Sequence, residues 1–208
     1  MDPKERIPKS CVKETNGFSM VEILVAVVLI GILSTVGGVY ILGSIARQNL
    51  ISTTEGVANL LQRGRSEAAS RSDTWVGVKF TNSEAFSFID SDEDGIFDSG
   101  EIKLMTYTFK DNVRIVNGCG NNAIDASARP YIYFDGQGFC GTLASLGNFT
   151  EKEWQVFLYN SRVETAQQAR EVEALVNGLI EVIKPGQSGN VSTNPMQANK
   201  SGSLCASP

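Results

Sequence analysis

Two groups of residues in this 208-residue chain have types and spacings suited to chemistry. The first is Glu22, the only charged side chain in an apolar run from Phe18 to Ala46. A carboxylate in such a run is costly to keep charged, so it neutralises or takes a cationic partner. An ionisable group in a segment of this kind reads as functional. The second is Asp90-Ser91-Asp92-Glu93-Asp94-Gly95-Ile96-Phe97-Asp98-Ser99-Gly100-Glu101. Its spacing is that of a twelve-residue calcium loop. Asp90, Asp92 and Asp94 would supply the first ligands, Ile96 a backbone carbonyl, Asp98 a direct or water-mediated contact, and Glu101 a bidentate one, with Gly95 allowing the sharp turn. The flanks read as strands rather than helices, so a solvated hairpin turn stands open beside the calcium reading.

Other chemistry is narrowed by composition. The chain has no histidine, which removes imidazole bases, His-based triads and His-ligated metals. With no nucleophile motif either, no enzyme and no required cofactor are expected. The formal charge is −5, and becomes −6 once residues 1–17, which carry +1, are set aside. An acidic body without a basic stripe is unsuited to nucleic acid. Of the four cysteines, Cys11, Cys119, Cys140 and Cys205, Cys119 and Cys140 form the natural pair in an oxidising compartment. Closing that loop would contribute ~3 kcal/mol. Cys205 is a competing partner, and three free thiols are the other alternative.

These groups must be positioned by elements that the pattern outlines. The apolar run is long enough to read as membrane-spanning. It is too long, and its acid too deep, for the apolar core of an ordinary secretory signal. Beyond it the helix continues as an amphipathic segment, with Leu50, Val57, Leu61, Gly64 and Ala68 on one stripe, ending near Arg71-Ser72-Asp73. The pair Gly37-Gly38 costs ~1 kcal/mol per residue relative to alanine, and reads either as close helix packing or as a soft spot. Short strands follow around Val76–Phe80, Phe86–Phe88, Met105–Phe109, Val113–Ile115, Tyr131–Phe134 and Trp154–Leu158. A closing hairpin joins 171–176 to 179–184 through Asn177-Gly178, a type I′ signal. Pro185 onward is rich in Gly, Ser, Asn and Pro and reads as a flexible tail. The expected class is therefore α+β. Its segments are a leader at 1–17, a helix at 18–72 with a membrane or filament-core part at 18–43, a β-rich head at 73–185 and a tail at 186–208.

Gly17-Phe18 with Glu22 at the fifth position after the junction, followed by an apolar helix, resembles the class III signal of type IV pilins and type II secretion pseudopilins. The run Leu60-Leu61-Gln62-Arg63-Gly64-Arg65-Ser66-Glu67-Ala68, then Trp75-Val76-Gly77-Val78, resembles the helix end and first strand of GspH/FimT-type minor pilins, which commonly carry Ala where Gly64 stands here. The resemblance implies a pilin-like fold: one long N-terminal helix packed on a β-sheet head. It implies that a prepilin peptidase cuts between Gly17 and Phe18 and N-methylates Phe18, and that Glu22 pairs with a terminal amine during filament assembly. The implied role is a minor pilin that primes or caps a type IV pilus. Its partners would be other minor and major pilins and an inner-membrane assembly platform. The protein would start as a single-pass inner-membrane protein with its head in the periplasm. The alternatives are a minor pseudopilin of type II secretion and a membrane-tethered calcium-binding or adhesion module that never polymerises.

Overall fold

A computed structural model describes residues 17–71, 74–116, 123–128, 130–144, 147–163 and 169–183, with the side chains of 35–40 left aside. The leader before Gly17, Cys11, Cys119, Cys205 and the tail lie outside the described residues. The chain divides into two compact units, Met1–Tyr40 and Ile41–Pro208.

Helix α1 spans Met20–Ser70. Its start follows from local hydrogen bonding. The Ser19 carbonyl accepts from the N–H groups of Glu22 (3.0 Å) and Ile23 (3.2 Å). Glu22 lies in the first turn, where the helix dipole favours an anion. The backbone is helical through Gly37-Gly38. In the first unit the described side chains are exposed and apolar all round, Phe18 at 79% and Leu33 at 70% exposure among them. Such a surface is suited to burial against lipid or other chains rather than to water. Among the described residues no helix is long and apolar enough to cross a membrane; the run expected to span, 18–43, includes residues 35–40, whose side chains lie outside those described.

Among its described residues the second unit holds the amphipathic part of α1 and ten strands. One antiparallel sheet is built from β1 (Trp75–Phe80), β2 (Glu84–Asp90), β3 (Ile102–Thr108), β5 (Tyr131–Phe134), β6 (Cys140–Ala144) and β7 (Asn148–Glu151), in the order β3-β2-β1-β5-β6-β7. The other holds β4 (Val113–Val116), β8 (Trp154–Asn160), β9 (Ala169–Ala174) and β10 (Ile180–Ile183), in the order β10-β9-β8-β4. The two sheets share one core with the helix. Leu50, Val57, Leu61 and Ala68 are fully buried and cluster with Val76, Val78, Ile132 and Phe134 of the first sheet and Trp154, Val156, Leu158 and Val172 of the second. Each fully buried Leu or Val contributes about 1.5–3 kcal/mol, so this stripe is the main tie between helix and head.

Polar ties add direction. The Thr53 hydroxyl oxygen accepts from Lys110 N–H (3.2 Å), and Asn160 Nδ2 donates to the Ala46 carbonyl (3.2 Å). The Cys140 N–H donates to the Val176 carbonyl (2.9 Å), linking the start of β6 to the β9–β10 turn.

The α+β expectation holds, and the helix ends at Ser70, close to the expected stop. Two strands were not anticipated. The segment around Cys140, where no strand was expected, is β6; Gly141 lets the Phe149 ring and the Thr150 backbone come against it where a Cβ would collide. Strand β7 is short, polar and largely exposed, so it carries no hydrophobic alternation to read. The closing turn is also different from the two-residue type I′ form. Only Gly178 has positive φ (75°), whereas type I′ needs it at both central residues. Gly178 N–H donates to Leu175 O (2.8 Å) and Leu175 N–H to Leu179 O (2.9 Å), giving a longer turn closed by a left-handed glycine. Tertiary contact selects it, since a Cβ at Gly178 would run into the Gly138 carbonyl and Arg65.

Candidate functional site

In the first unit, Gly17 and Phe18 precede the helix, and Phe18 is 79% exposed. A Cβ on Gly17 would meet nothing within 4 Å among the described residues. Glu22 is exposed and makes no hydrogen bond or ion pair among the described residues. The junction and the acid sit on either side of the helix start, where the Ser19 carbonyl accepts the first helical bonds.

In the second unit, the acidic loop connects β2 to β3 on the outer face of the first sheet. The structure brings three of the six expected ligands together: carboxylate oxygens of Asp90, Asp92 and Asp94 all lie within 4.8 Å of one another. The Asp98 and Glu101 carboxylates are not part of that group. Asp90, at the end of β2, is 1% exposed. Its Oδ1 accepts from Glu93 N–H (2.8 Å) and its Oδ2 from Gly95 N–H (3.0 Å). Burial raises the Asp90 carboxyl above its ordinary range against the pull of those two N–H groups, with Asp94 and Asp92 adding to the rise. Gly95 has φ 78°, as a sharp turn requires, and a Cβ there would meet the Leu143 carbonyl. Glu101 reaches back over the loop, its Oε1 accepting from Ser91 N–H (3.2 Å) and its Oε2 from Asp98 N–H (3.1 Å). Burial pushes Glu101 up to about 7, and the nearby Asp90 charge adds to the rise.

The loop is anchored rather than splayed into solvent. Phe97 packs edge-on to Phe86 (4.9 Å) and Phe88 (5.1 Å), and its N–H donates to Tyr131 Oη (3.3 Å). On the same face Lys79 Nζ lies 5.3 Å from the Tyr131 ring centre and Lys103 Nζ 4.0 Å from that of Phe86. No lysine or arginine makes an ion pair with the loop carboxylates among the described residues.

Cys140 is buried and carries a free thiol. Burial pushes that thiol up to about 12, far from a reactive thiolate. The expected Cys119 partner lies outside the described residues.

Two residues were missed at the sequence level. Arg65 bridges two turns, Nε donating to Gly138 O (3.2 Å) and Nη2 to Asn177 O (3.1 Å). Its place in an Arg-Ser-Glu-Ala run on the helix was the only signal. Tyr133 is buried on β5 at 1% exposure, and its hydroxyl finds no hydrogen-bond partner among the described residues. Nothing in the alternation of β5 distinguishes it from a core aromatic.

Residues 13–38 match the family described as the prokaryotic N-terminal methylation motif. The matched stretch contains the Gly17-Phe18 junction and Glu22. No curated protein matches the sequence. Among solved structures, the chain is similar to the type IV minor pilin FimU of Pseudomonas aeruginosa, with 16% identity, 69% of this chain and 95% of that chain covered, and a TM-score of 0.46. It is also similar to the minor pseudopilin EpsH of the Vibrio cholerae Type 2 Secretion System, with 14% identity, 67% and 99% covered, and a TM-score of 0.46. Likeness at this level establishes neither shared ancestry nor shared function.

Proposed function

We propose that the protein is a minor pilin of a type IV pilus, cut between Gly17 and Phe18 by a prepilin peptidase and taking part in priming or tip assembly of the filament. The observation that carries this reading is the match of residues 13–38 to the methylation motif, set over the junction Gly17-Phe18 and Glu22. The exposed apolar sleeve of the first unit supports it, since such a surface needs lipid before assembly and other subunits after it. The chain first sits in the inner membrane with its head in the periplasm. It then joins other minor and major pilins at the assembly platform. Its role is structural rather than catalytic.

Cutting before Phe18 creates an α-amine about one helical turn from Glu22. In an apolar surrounding, carboxylate and amine each lower the cost of burying the other. A subunit whose Glu22 meets a neighbour's amine is thereby favoured on entry. Mass spectrometry of the mature chain is expected to find Phe18 at the N-terminus with a methylated amine; an intact leader would refute the reading. Glu22→Ala is expected to be cleaved normally yet fail to enter sheared filaments, and normal incorporation would remove the electrostatic mechanism. A type II secretion pseudopilus would use the same N-terminal chemistry. Recovery of the chain from pili, as opposed to dependence of secretion on it, separates the two.

A further inference from the structure

We propose that the loop from Asp90 to Glu101 holds a calcium ion on Asp90, Asp92 and Asp94, with a water of the ion's shell hydrogen-bonded to the hydroxyl of Tyr133. The inference is independent of the pilin reading. Three carboxylates converge within 4.8 Å, and one of them, Asp90, is almost wholly removed from solvent. An acidic turn alone would not require an ion, because water can screen exposed carboxylates. Tyr133 is the independent observation.

Tyr133 pairs with Gly77 on β1, and Asp90 pairs with Trp75 two residues away on that strand. Both side chains are therefore on one face of the sheet. Gly77 has no side chain to separate them, and a Cβ there would lie 2.8 Å from Tyr133 Cε1. The Tyr133 ring thus leans over β1, 6.0 Å edge-on from Phe88, the neighbour of Asp90 on the same face. Phe97 of the loop packs on the same Phe88 ring. Tyr133 thus presents a buried hydroxyl on the sheet face that the loop covers, with no partner among the described residues. A buried orphan hydroxyl is costly and rare, and an ordered water or ion at the site is a common explanation. A hydrated cation on the three aspartates supplies that partner, since a metal-bound water turns its hydrogens outward and can donate to the Tyr133 hydroxyl oxygen.

Calcium fits the donor set better than magnesium. It takes six to eight oxygen ligands in flexible geometry, whereas magnesium demands a near-ideal octahedron.

The test is calorimetric titration of the chelator-treated full chain, in detergent, with calcium chloride and separately with magnesium chloride. One calcium per chain is expected, with a dissociation constant on the order of 10⁻⁴–10⁻³ M as in extracellular calcium modules, and weaker magnesium binding. Asp92 is exposed and accepts no hydrogen bond that shapes the loop, so Asp92→Asn keeps the fold, as a far-UV circular dichroism spectrum verifies, and is expected to weaken calcium about tenfold. Tyr133→Phe is expected to weaken it about threefold by removing one bond to a bound water. No heat with wild type at millimolar calcium would overturn the proposal. Unchanged affinity in Asp92→Asn would place the ion elsewhere and overturn it too. Unchanged affinity in Tyr133→Phe would remove the hydroxyl from the site.

Discussion

Replacing Gly56 by alanine sets two effects of opposite sign against each other. In an exposed helix interior, Gly→Ala stabilises by about 1 kcal/mol. Gly56 lies in α1 facing β3, and a Cβ there would collide with Cζ and Cε2 of Tyr107. The ring cannot simply rotate aside. Tyr107 Oη donates to the Ser52 carbonyl at 3.0 Å, one turn back on the helix, and the ring packs 6.5 Å from Phe109. Overpacking of this kind costs about 1–3 kcal/mol, and loss of the hydrogen bond adds about 1 kcal/mol. The steric and hydrogen-bond costs outweigh the propensity gain, so a net destabilisation of about 1–3 kcal/mol is expected. Gly43 is the control: a Cβ there meets nothing within 4 Å, so Gly43→Ala should stabilise by up to about 1 kcal/mol. Thermal unfolding of the full chain in detergent reads both. At about 2–4 °C per kcal/mol for a chain of this size, Gly56→Ala should melt several degrees below wild type and Gly43→Ala slightly above it. Adding Tyr107→Ala to Gly56→Ala should remove the clash, making the double mutant less destabilised than the sum of the singles. A Gly56→Ala protein that melts above wild type would refute the argument.

Arg65→Ala is expected to cost about 2 kcal/mol, since it removes two charge-assisted bonds to the Gly138 and Asn177 carbonyls; hydrogen exchange should speed up at residues 175–179, and unchanged protection there would contradict a bridging role. Glu171 on β9 is 7% exposed, and burial, with the Glu173 charge second, pushes it from 4.5 up to about 7. The folded state therefore holds a proton that the unfolded chain releases near 4.5, so this group's contribution to stability falls as pH rises from about 4.5 through about 7. The difference corresponds to about 3 kcal/mol at most. Glu171→Gln should stabilise the protein at pH 8 and flatten the slope over that window in denaturant unfolding; an unchanged slope would assign the pH dependence elsewhere.

What could be read in the sequence was local or periodic. The junction Gly17-Phe18, the isolated charge at Glu22 and the spacing from Asp90 to Glu101 are one-dimensional patterns, so they were visible without a fold. The buried stripe of Leu50, Val57, Leu61 and Ala68 followed from helical spacing, and most strands from alternation. What needed the tertiary structure depends on residues brought together from distant parts of the chain. Strand β6 is held by its neighbours around a glycine, and β7 is a polar edge; neither has a periodic signal. The turn at Gly178 is set by Arg65 and Gly138, and its own Asn-Gly pair pointed to a different form. Of the five proposed carboxylate ligands three converge, while Glu101 is bound to backbone N–H groups. Tyr133 acquires meaning only when the bare backbone of Gly77 lets its ring lie over β1. The sequence by itself thus determined which chemistries the chain carries. The packing of the sheets decided which of those groups meet, because long-range contact and burial are properties of the folded surface and not of residue spacing.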